Sequence, residues 1–263
     1  MKTTEWLKHY HEICRILGID EEKDRIAAET LSNLLKGWSA SRQELSDLLH
    51  RGAFAAVFGA GPSLETDLKQ YLQVFDPERA VTIAVDGAVR CFLTWGILPK
   101  IVVTDLDGGD DVLVKAAENG CFMVVHAHGD NIEKIRRLVP LMRGRVLGTT
   151  QTEPIGVLEN FGGFTDGDRA VYMCEELGVE KIVVAGMDFD GEIGQYSKPR
   201  PLSEEMEKRK KLKLQIGKNL LETLAAQTTA TLLDASNTFS QIKGFKKNNL
   251  AGTRPKIGWF TLF

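Results

Sequence analysis

The chain has 263 residues, 43% hydrophobic and 26% charged, an ordinary composition for one large globular α/β domain. A formal net charge of −3 argues against general binding of nucleic acid or of an anionic membrane. No apolar run approaches the roughly 20 residues of a membrane-spanning helix, and the charged, amphipathic beginning does not resemble a signal peptide. The four scattered cysteines lack CxxC spacing and are expected to be buried thiols, so we predict a cytoplasmic protein.

Residues 1–50 show helical periodicity and contain no strand pattern. Trp6, Tyr10 and Ile13 recur at helical spacing. Ser41 followed by Glu44 predicts a capping box at the start of a further helix. We therefore predict an N-terminal helical cap over residues 1–50 that packs on the main domain.

From residue 53 the pattern changes to strand, glycine-rich turn and helix, repeated along the chain. The predicted strands are 53–58, 82–85, 101–104, 122–125, 145–147, 181–185 and 232–234. Continuous apolar strands alternating with helices predict an α/β fold with a Rossmann-like, mostly parallel sheet covered by helices on both faces. The loops after such strands meet at one edge of the sheet, where ligands bind.

The boundaries of this domain follow from where the pattern stops. We predict a catalytic domain over residues 51–240, which includes a long helix over 203–226. Residues 241–263 are predicted to form a tail packed on the domain, with 243–247 as an exposed loop.

The turn after the first predicted strand has the sequence Gly-Ala-Gly-Pro-Ser. Gly59 and Gly61 let backbone N–H groups approach an anion, and a helix beginning near Ser63 adds its dipole. Leu64 stands where the dinucleotide fingerprint needs a small residue, and Pro62 is unusual there, which weakens a nicotinamide interpretation. We predict phosphate binding at this turn, with a plain structural turn as the alternative.

Carboxylates follow the second and third domain strands. Asp105 and Asp107 are two residues apart, and in an extended segment both would face the same crevice. Like charges held close together repel unless a cation lies between them, and oxygen ligands suit Mg²⁺. We predict a metal site here, against the alternative that Asp105 caps a helix and Asp107 is solvated. Asp86 is either a third carboxylate near the metal, a ribose contact or a helix cap.

A second glycine-rich stretch precedes the predicted helix that runs to Leu177. Thr165 or Asp166 can cap this helix. Arg169 in its first turn opposes the helix dipole, which is unfavourable unless an anion or a carboxylate compensates. Arginine grips phosphate oxygens in pairs. The pattern favours nucleotide phosphates or a second metal ligand over simple capping.

Two further pairs of polar side chains follow strands. His126 and His128 lack the third protein ligand that zinc would need, so we predict hydrogen bonds to phosphate or to a nucleophilic hydroxyl. Asp188 and Asp190 either bind the guanidine-like edge of a heterocycle or stabilise their turn. The basic run over 208–213 is either a solvated helix face or a mobile basic flap over a polyphosphate.

With these loops assembled, the chain resembles the archaeal-type 6-hydroxymethyl-7,8-dihydropterin pyrophosphokinases, whose domain is similar to the catalytic domain of thiamin pyrophosphokinase. The resemblance covers about residues 50–240 and is carried by 59–64, 86–88, 104–108, 126–130 and 164–168. Thiamin pyrophosphokinases carry an aspartate-glycine turn, then Gly-Asp-x-Asp-Ser, then Lys-Asp-x-Thr-Asp.

These motifs map onto the chain residue by residue. Asp86 looks like the first motif, and Asp105 with Asp107 looks like the metal-binding pair, with glycine following in place of serine. Thr165 and Asp166 look like the end of the third motif, whose lysine is missing here. The resemblance implies that Arg169 or the basic run replaces that lysine at the γ-phosphate.

The resemblance implies a diphosphotransferase that moves diphosphate from ATP to the hydroxymethyl group of a pterin, releasing AMP, in folate- or tetrahydromethanopterin-type cofactor biosynthesis. It implies that Asp105 and Asp107 bind Mg²⁺, helped by Asp166 and Asp86. It also implies that His128 or Asp130 orients the hydroxyl. The general base is not assigned. The implied partners are ATP and a small heterocyclic alcohol, with a homodimer as one candidate assembly.

Two other functions stay open from the sequence. The Gly-Ala-Gly-Pro-Ser-Leu turn also resembles that of enzymes that glycosylate flagellin with nonulosonic acids. A nucleotide-sugar-dependent glycosyltransferase is therefore one alternative, and a non-catalytic nucleotide-binding module is the other. Pterin rather than thiamin as the acceptor depends on family likeness alone.

Overall fold

Three helices precede the first strand, as the helical periodicity of the first 50 residues predicts. A computed structural model of the chain describes residues 3–75, 77–142, 144–189, 193–197 and 202–248. The three helices are α1 (Thr3–Leu17), α2 (Glu21–Leu35) and α3 (Arg42–Leu49). The predicted capping box is confirmed, because Ser41 accepts from the Glu44 N–H and the Glu44 carboxylate accepts from the Ser41 N–H at 2.7 Å.

The described residues form one eight-stranded sheet in which all paired strands are parallel, with the order β5-β4-β3-β2-β1-β6-β7-β8. The strands are β1 (Phe54–Phe58), β2 (Ala80–Val85), β3 (Ile101–Thr104), β4 (Phe122–Ala127), β5 (Val146–Thr150), β6 (Lys181–Ala185), β7 (Thr231–Asp234) and β8 (Lys246–Lys247). The remaining helices are α4 (Leu64–Val74), α5 (Ala88–Thr94), α6 (Asp110–Glu118), α7 (Ile132–Leu138), α8 (Asp166–Glu176) and α9 (Glu204–Gln227), with short 3₁₀ turns at Pro77–Arg79 and Val139–Leu141. The predicted α/β class is confirmed.

Strands β1 to β5 are buried on both faces, and alternate residues enter two separate cores. Ala55 and Val57 of β1 pack in the core that contains α1, α3, α8 and α9. Phe54, Ala56 and Phe58 pack in the core that contains α2 and α4 to α7. The N-terminal helices are thus divided between the two faces of the sheet, and the boundary at residue 50 stays a prediction.

The end of the described chain differs from the expected exposed loop. Residues 246–247 form β8, paired with β7, and Lys247 Nζ donates to Asp234 Oδ2 at 2.8 Å. That ion pair with a buried carboxylate holds the segment at the sheet edge, so the loop prediction was wrong for these two residues. Ile242 and Phe245 are buried in the same core as residues of α8 and α9. The predicted tail beyond residue 248 lies outside the described residues.

The chain reverses its direction of travel across the sheet between β1 and β6. Ligands of open parallel sheets bind at such a switch point, outside the carboxyl ends of the strands. Here the loops after β1 and β6 come into backbone contact: a Cβ on Gly186 (φ 64°) would lie 2.4 Å from the Gly59 carbonyl oxygen. Glycine at these positions therefore permits the close approach of the two loops.

Two other expectations are met within the described part of the chain. All four cysteines are buried free thiols. Among the residues that the structure describes, no helix has the length and apolar character needed to cross a membrane.

Candidate functional site

A cavity of about 500 Å³ opens at the carboxyl edge of the sheet, between the loops that follow β1 to β6, the turn that precedes α2, and the first half of α9. The predicted site residues that line it are Gly59, Gly61, Asp86, Asp105, Asp107, His126, His128, Asp130, Thr165, Asp166, Arg169 and Asp188. Ser63 is buried beside the cavity and Pro62 is exposed to solvent. Asp190, predicted to bind substrate, lies outside the described residues.

Three carboxylates from three different loops converge at the centre of this cavity. Asp86 follows β2, Asp105 follows β3 and Asp166 begins α8, and one oxygen of each lies within 4.8 Å of the others. We call these three residues the carboxylate cluster. The Asp86 carboxylate accepts from Thr104 Oγ1 at 2.7 Å, and Asp166 accepts from the Asp105 N–H at 3.3 Å. These hydrogen bonds hold the carboxylates in place despite their mutual repulsion.

Burial and like charge make this cluster electrostatically unfavourable without a cation. Burial, followed by the charge of Asp105, raises the pKa of Asp86 to about 7. The same two causes, with the charge of Asp86, raise the pKa of Asp166 well above its usual range. Three carboxylate oxygens in one partly buried site are the kind of donor set that Mg²⁺ prefers. The cluster therefore fits a hard divalent cation.

Asp107 lies beside the cluster but its side chain points to a lysine. Its Oδ1 accepts from Lys134 Nζ at 2.7 Å, and the same ammonium group donates to the Leu106 carbonyl at 3.2 Å. Leu106 adopts φ 72°, so the segment is not extended there and the expected alternation of side chains does not hold. Asp107 lines the same cavity, and its assignment as a metal ligand stays a prediction.

A buried asparagine, which the sequence patterns did not single out, ties two of the loops together. Asn131 Nδ2 donates to the carbonyls of Asp105 at 2.7 Å and of His126 at 2.8 Å, and its Oδ1 accepts from the His128 N–H. His128 Nε2 lies 3.4 Å from Asp105 Oδ2, and its Nδ1 accepts from the Asp130 N–H at 3.3 Å. The loop after β4 is thereby positioned against Asp105.

The two histidines differ in environment. His128 is partly exposed beside Asp105, whereas His126 is the penultimate residue of β4 and is buried. His126 Nδ1 pairs with Thr149 Oγ1 at 3.0 Å, and Nε2 has no hydrogen-bond partner among the described residues. Burial, followed by the positive charge of Arg169, lowers the pKa of His126 well below its usual range. This imidazole is therefore neutral.

Arg169 is buried in the first turn of α8, against the helix dipole. Its Nη atoms donate to the carbonyls of Gly163 at 3.1 Å and Phe164 at 2.9 Å. Its Nε lies 3.8 Å from Asp166, which supplies the compensating carboxylate that the dipole argument requires. Thr165 caps the helix in a capping box with Asp168. Phosphate binding by Arg169 and Thr165 stays a prediction.

The glycine-rich turn after β1 uses its backbone donors within the protein. The N–H groups of Gly59 and Gly61 donate to the carbonyls of Ala185 and Gly186 at 2.8 and 2.9 Å. The Ser63 N–H and Oγ both contact Asp188 Oδ2, at 3.1 and 2.8 Å. Phosphate binding at this turn stays a prediction, and these contacts give the turn a structural role as well.

Asp67, which the sequence patterns did not single out, is hydrogen-bonded to this turn. It is fully buried in α4 and accepts from Ser63 Oγ at 2.6 Å, the Gly186 N–H at 2.8 Å and the Asn237 N–H at 2.9 Å. Burial raises its pKa to about 6, against the effect of those hydrogen bonds.

The basic run of α9 is divided between solvent and the cavity. Lys208 and Lys211 are exposed. Lys210 and Lys213 line the cavity, and the charge of Lys210 opposes the rise in the pKa of Asp86. Lys213 Nζ lies 5.8 Å from the centre of the Phe164 ring. The helix therefore places positive charge opposite the carboxylate cluster.

Comparison with known proteins gives a consistent set of relatives. The family described as 6-hydroxymethylpterin diphosphokinase MptE-like matches residues 28–193. Among curated proteins, the 6-hydroxymethyl-7,8-dihydropterin pyrophosphokinase of Pyrococcus furiosus is 42% identical over 242 residues, covering 90% of this chain and 100% of that protein. Proteins of the same name from Methanothermobacter thermautotrophicus (40% identical; 85% of this chain, 95% of that protein) and Methanocaldococcus jannaschii (37% identical; 76% and 85%) are also similar.

A solved structure of thiamine pyrophosphokinase from Bacillus subtilis also matches part of the chain. It is 16% identical, covers 66% of this chain and 56% of its own, and superposes with a TM-score of 0.33. The parallel α/β fold of this chain follows from its own sheet order.

Proposed function

Because the chain belongs to the family described as 6-hydroxymethylpterin diphosphokinase MptE-like, we propose that it transfers diphosphate from ATP to 6-hydroxymethyl-7,8-dihydropterin. The chain is accordingly a diphosphotransferase enzyme. The proposed products are the pterin diphosphate and AMP, within biosynthesis of a folate- or methanopterin-type cofactor. The observation that carries the proposal is the carboxylate cluster facing Lys210 and Lys213 across one cavity.

The proposed reaction is an in-line displacement at the β-phosphorus of ATP. The hydroxyl oxygen of the acceptor forms a bond to that phosphorus, and the bond from it to the oxygen that bridges the α- and β-phosphorus breaks. AMP leaves with the bridging oxygen, and the hydroxyl proton passes to solvent. Little covalent chemistry falls to the protein, so catalysis depends on positioning and on charge stabilisation.

The carboxylate cluster would hold Mg²⁺ in this proposal. When bound, the ion would supply positive charge that stabilises the negative charge developing on the phosphates. Lys210 and Lys213 face the same space and would neutralise the outer phosphates, in place of the lysine that the thiamin pyrophosphokinase motif contains.

His128 would orient Asp105 and the acceptor hydroxyl. Its Nδ1 accepts from the Asp130 N–H, so the neutral ring carries its proton on Nε2, which faces Asp105 Oδ2 at 3.4 Å. In this tautomer His128 donates a hydrogen bond and does not accept the hydroxyl proton. Asp130 contributes its backbone N–H, while its side chain is exposed.

The proposal is tested with ATP labelled at the β-phosphorus, Mg²⁺ and the pterin alcohol. We expect the label to move to the pterin in equal amount to the AMP released. Release of AMP without labelled pterin would mean hydrolysis and would contradict the transfer. Thiamin in place of the pterin alcohol tests the acceptor alone: transfer to thiamin but not to the pterin would keep the chemistry and change the substrate.

A further inference from the structure

The cavity extends to both sides of the carboxylate cluster. One side lies at the switch point, between the glycine-rich turn and Asp188. The other side, which we call the α2 end, is formed by Asp24 of α2, His126 and Gly129 of the β4 strand and loop, and Gln151 after β5. A bisubstrate transfer needs two binding places that meet at the reacting atoms, and these two sides provide them.

We infer that the α2 end binds the pterin ring, that His126 Nε2 accepts a hydrogen bond from a ring N–H, and that Asp24 is the positioning residue for this wall. The inference rests on the proposed function and specifies where its acceptor binds. It assigns a substrate-binding role to the N-terminal helices, beyond their packing on the sheet.

The buried imidazole of His126 has one hydrogen-bonding atom without a partner. Its ring is neutral, and Thr149 Oγ1, which pairs with Nδ1, also lies within 3.4 Å of the Val125 carbonyl. If that hydroxyl donates to the carbonyl, Nδ1 carries the proton and Nε2 is an acceptor. A side-chain hydrogen-bonding interaction with Gln151 raises the pKa of His126, but no side chain of the described residues reaches Nε2 with the distance and angle of a regular hydrogen bond. A buried polar atom without a partner is costly, and a ligand N–H removes that cost.

Asp24 organises the wall around this atom without contacting a ligand itself. Its Oδ1 accepts from the Gly129 N–H at 2.6 Å, and its Oδ2 accepts from Tyr10 Oη at 2.7 Å and Gln151 Nε2 at 2.6 Å. These three bonds join α1, α2, the loop after β4 and the end of β5. Asp24 is 1% exposed, so its oxygens are committed to the protein.

The charge at the α2 end suits a neutral heterocycle and not a triphosphate. The cations near this end are engaged within the protein. Lys23 is exposed and lies 4.0 Å from Asp20. Arg209 Nη1 donates to the Leu17 carbonyl at 2.7 Å, and Arg169 donates to two backbone carbonyls. Lys210 and Lys213, which suit phosphates, lie on α9. His128 lies next to Asp105, at the boundary between the α2 end and the cluster. A ring bound at His126 would thus direct its hydroxymethyl group toward the carboxylate cluster.

The test compares His126→Asn with His126→Gln. Asparagine keeps a polar atom near the position of Nδ1 for Thr149 and removes the one at Nε2, whereas glutamine places an amide near Nε2. Binding of 6-hydroxymethylpterin is measured by its fluorescence, and binding of a nonhydrolysable ATP analogue by calorimetry. We expect His126→Asn to weaken pterin binding about tenfold and to leave the ATP analogue unchanged, with His126→Gln retaining most of the affinity.

Controls separate this inference from the function on which it rests. His50→Asn, at an exposed histidine after α3, should change neither affinity. Asp24→Asn should raise KM for the pterin and leave KM for ATP unchanged, a split that general destabilisation would not produce. If the wild type transfers the label to the pterin but His126→Asn binds pterin normally, the subsite is wrong and the function stands. If the wild type transfers no label to the pterin, the function fails and the inference fails with it.

Discussion

Asp105 joins the loops that form the carboxylate cluster. It shares the carboxylate cluster with Asp86 and Asp166, and its carbonyl accepts from Asn131. The adjacent Asp107, by contrast, forms an ion pair with Lys134. Two carboxylates in one short motif therefore have different surroundings, and different effects of substitution follow.

Replacing Asp105 by asparagine should lower kcat/KM by about 10²-fold or more, because the site loses a negative charge that would hold the proposed cation. Isothermal titration with Mg²⁺ should show weaker binding in the same variant. Asp111→Asn, at an exposed position of α6, serves as the control and should behave like the wild type. Undiminished turnover by Asp105→Asn would contradict the assignment of the cluster.

Asp67 should make stability depend on pH in an unusual direction. Its pKa is raised from 3.8 to about 6 in the folded protein, so the folded state binds the proton more tightly than the unfolded state. The free energy of unfolding should therefore fall as pH rises from about 4 to about 6, by at most about 3 kcal/mol.

Urea denaturation of the wild type and of Asp67→Asn, across this pH range and with a chelator present, measures that contribution. We expect a flatter pH dependence in the variant, while Asp47→Asn, at an exposed carboxylate of α3, should retain the wild-type slope. Equal slopes in the wild type and Asp67→Asn would show that Asp67 titrates normally.

At the scale of secondary structure, α9 contributes one basic face to the cavity and another to solvent. Lys210 and Lys213 line the cavity, and Lys208 and Lys211 of the same helix turns are exposed. The solvated-face interpretation therefore holds for Lys208 and Lys211, and the interpretation of a basic flap over a polyphosphate stays a prediction.

Alanine at Lys210 or Lys213 should raise KM for ATP several-fold, because each removes a charge that faces the phosphates, and the effect should shrink as salt is added. Alanine at Lys208 or Lys211 is the matched control and should leave KM nearly unchanged. Steady-state kinetics at two ionic strengths measure both. Equal effects in the two pairs would indicate that the net charge of the helix matters and its orientation does not.

The contact between the loops after β1 and β6 should be sensitive to a single methyl group. Gly186→Ala combines a positive φ with a Cβ 2.4 Å from the Gly59 carbonyl, so we expect a loss of about 2–5 kcal/mol in unfolding free energy. Gly120→Ala has a positive φ but open space around the Cβ, so it should cost only about 1 kcal/mol. Denaturant unfolding that gives equal losses would show that the loops can separate freely.

At the scale of the whole molecule, the strand order explains why one edge of the sheet carries the site. Strands β2 to β5 lie on one side of β1 in the sheet, and β6 lies on the other side. The loops of both halves of the sheet therefore meet around β1. On the β4 side of the sheet, α2 forms a wall of the cavity. The family predicted from these loops is confirmed.

The sequence by itself determined the parallel α/β class, the capping box at Ser41 and the edge where the polar loops gather, because hydrophobic period and turn chemistry are local properties. Only the tertiary structure decided which acids meet. Asp86 and Asp166 reach Asp105 because strand order and the start of α8 bring their loops together, while the left-handed Leu106 turns Asp107 toward Lys134. Asp24, Asp67 and Asn131 escaped prediction for the same reason: each lies in an ordinary local context, and its burial and partners come from distant segments.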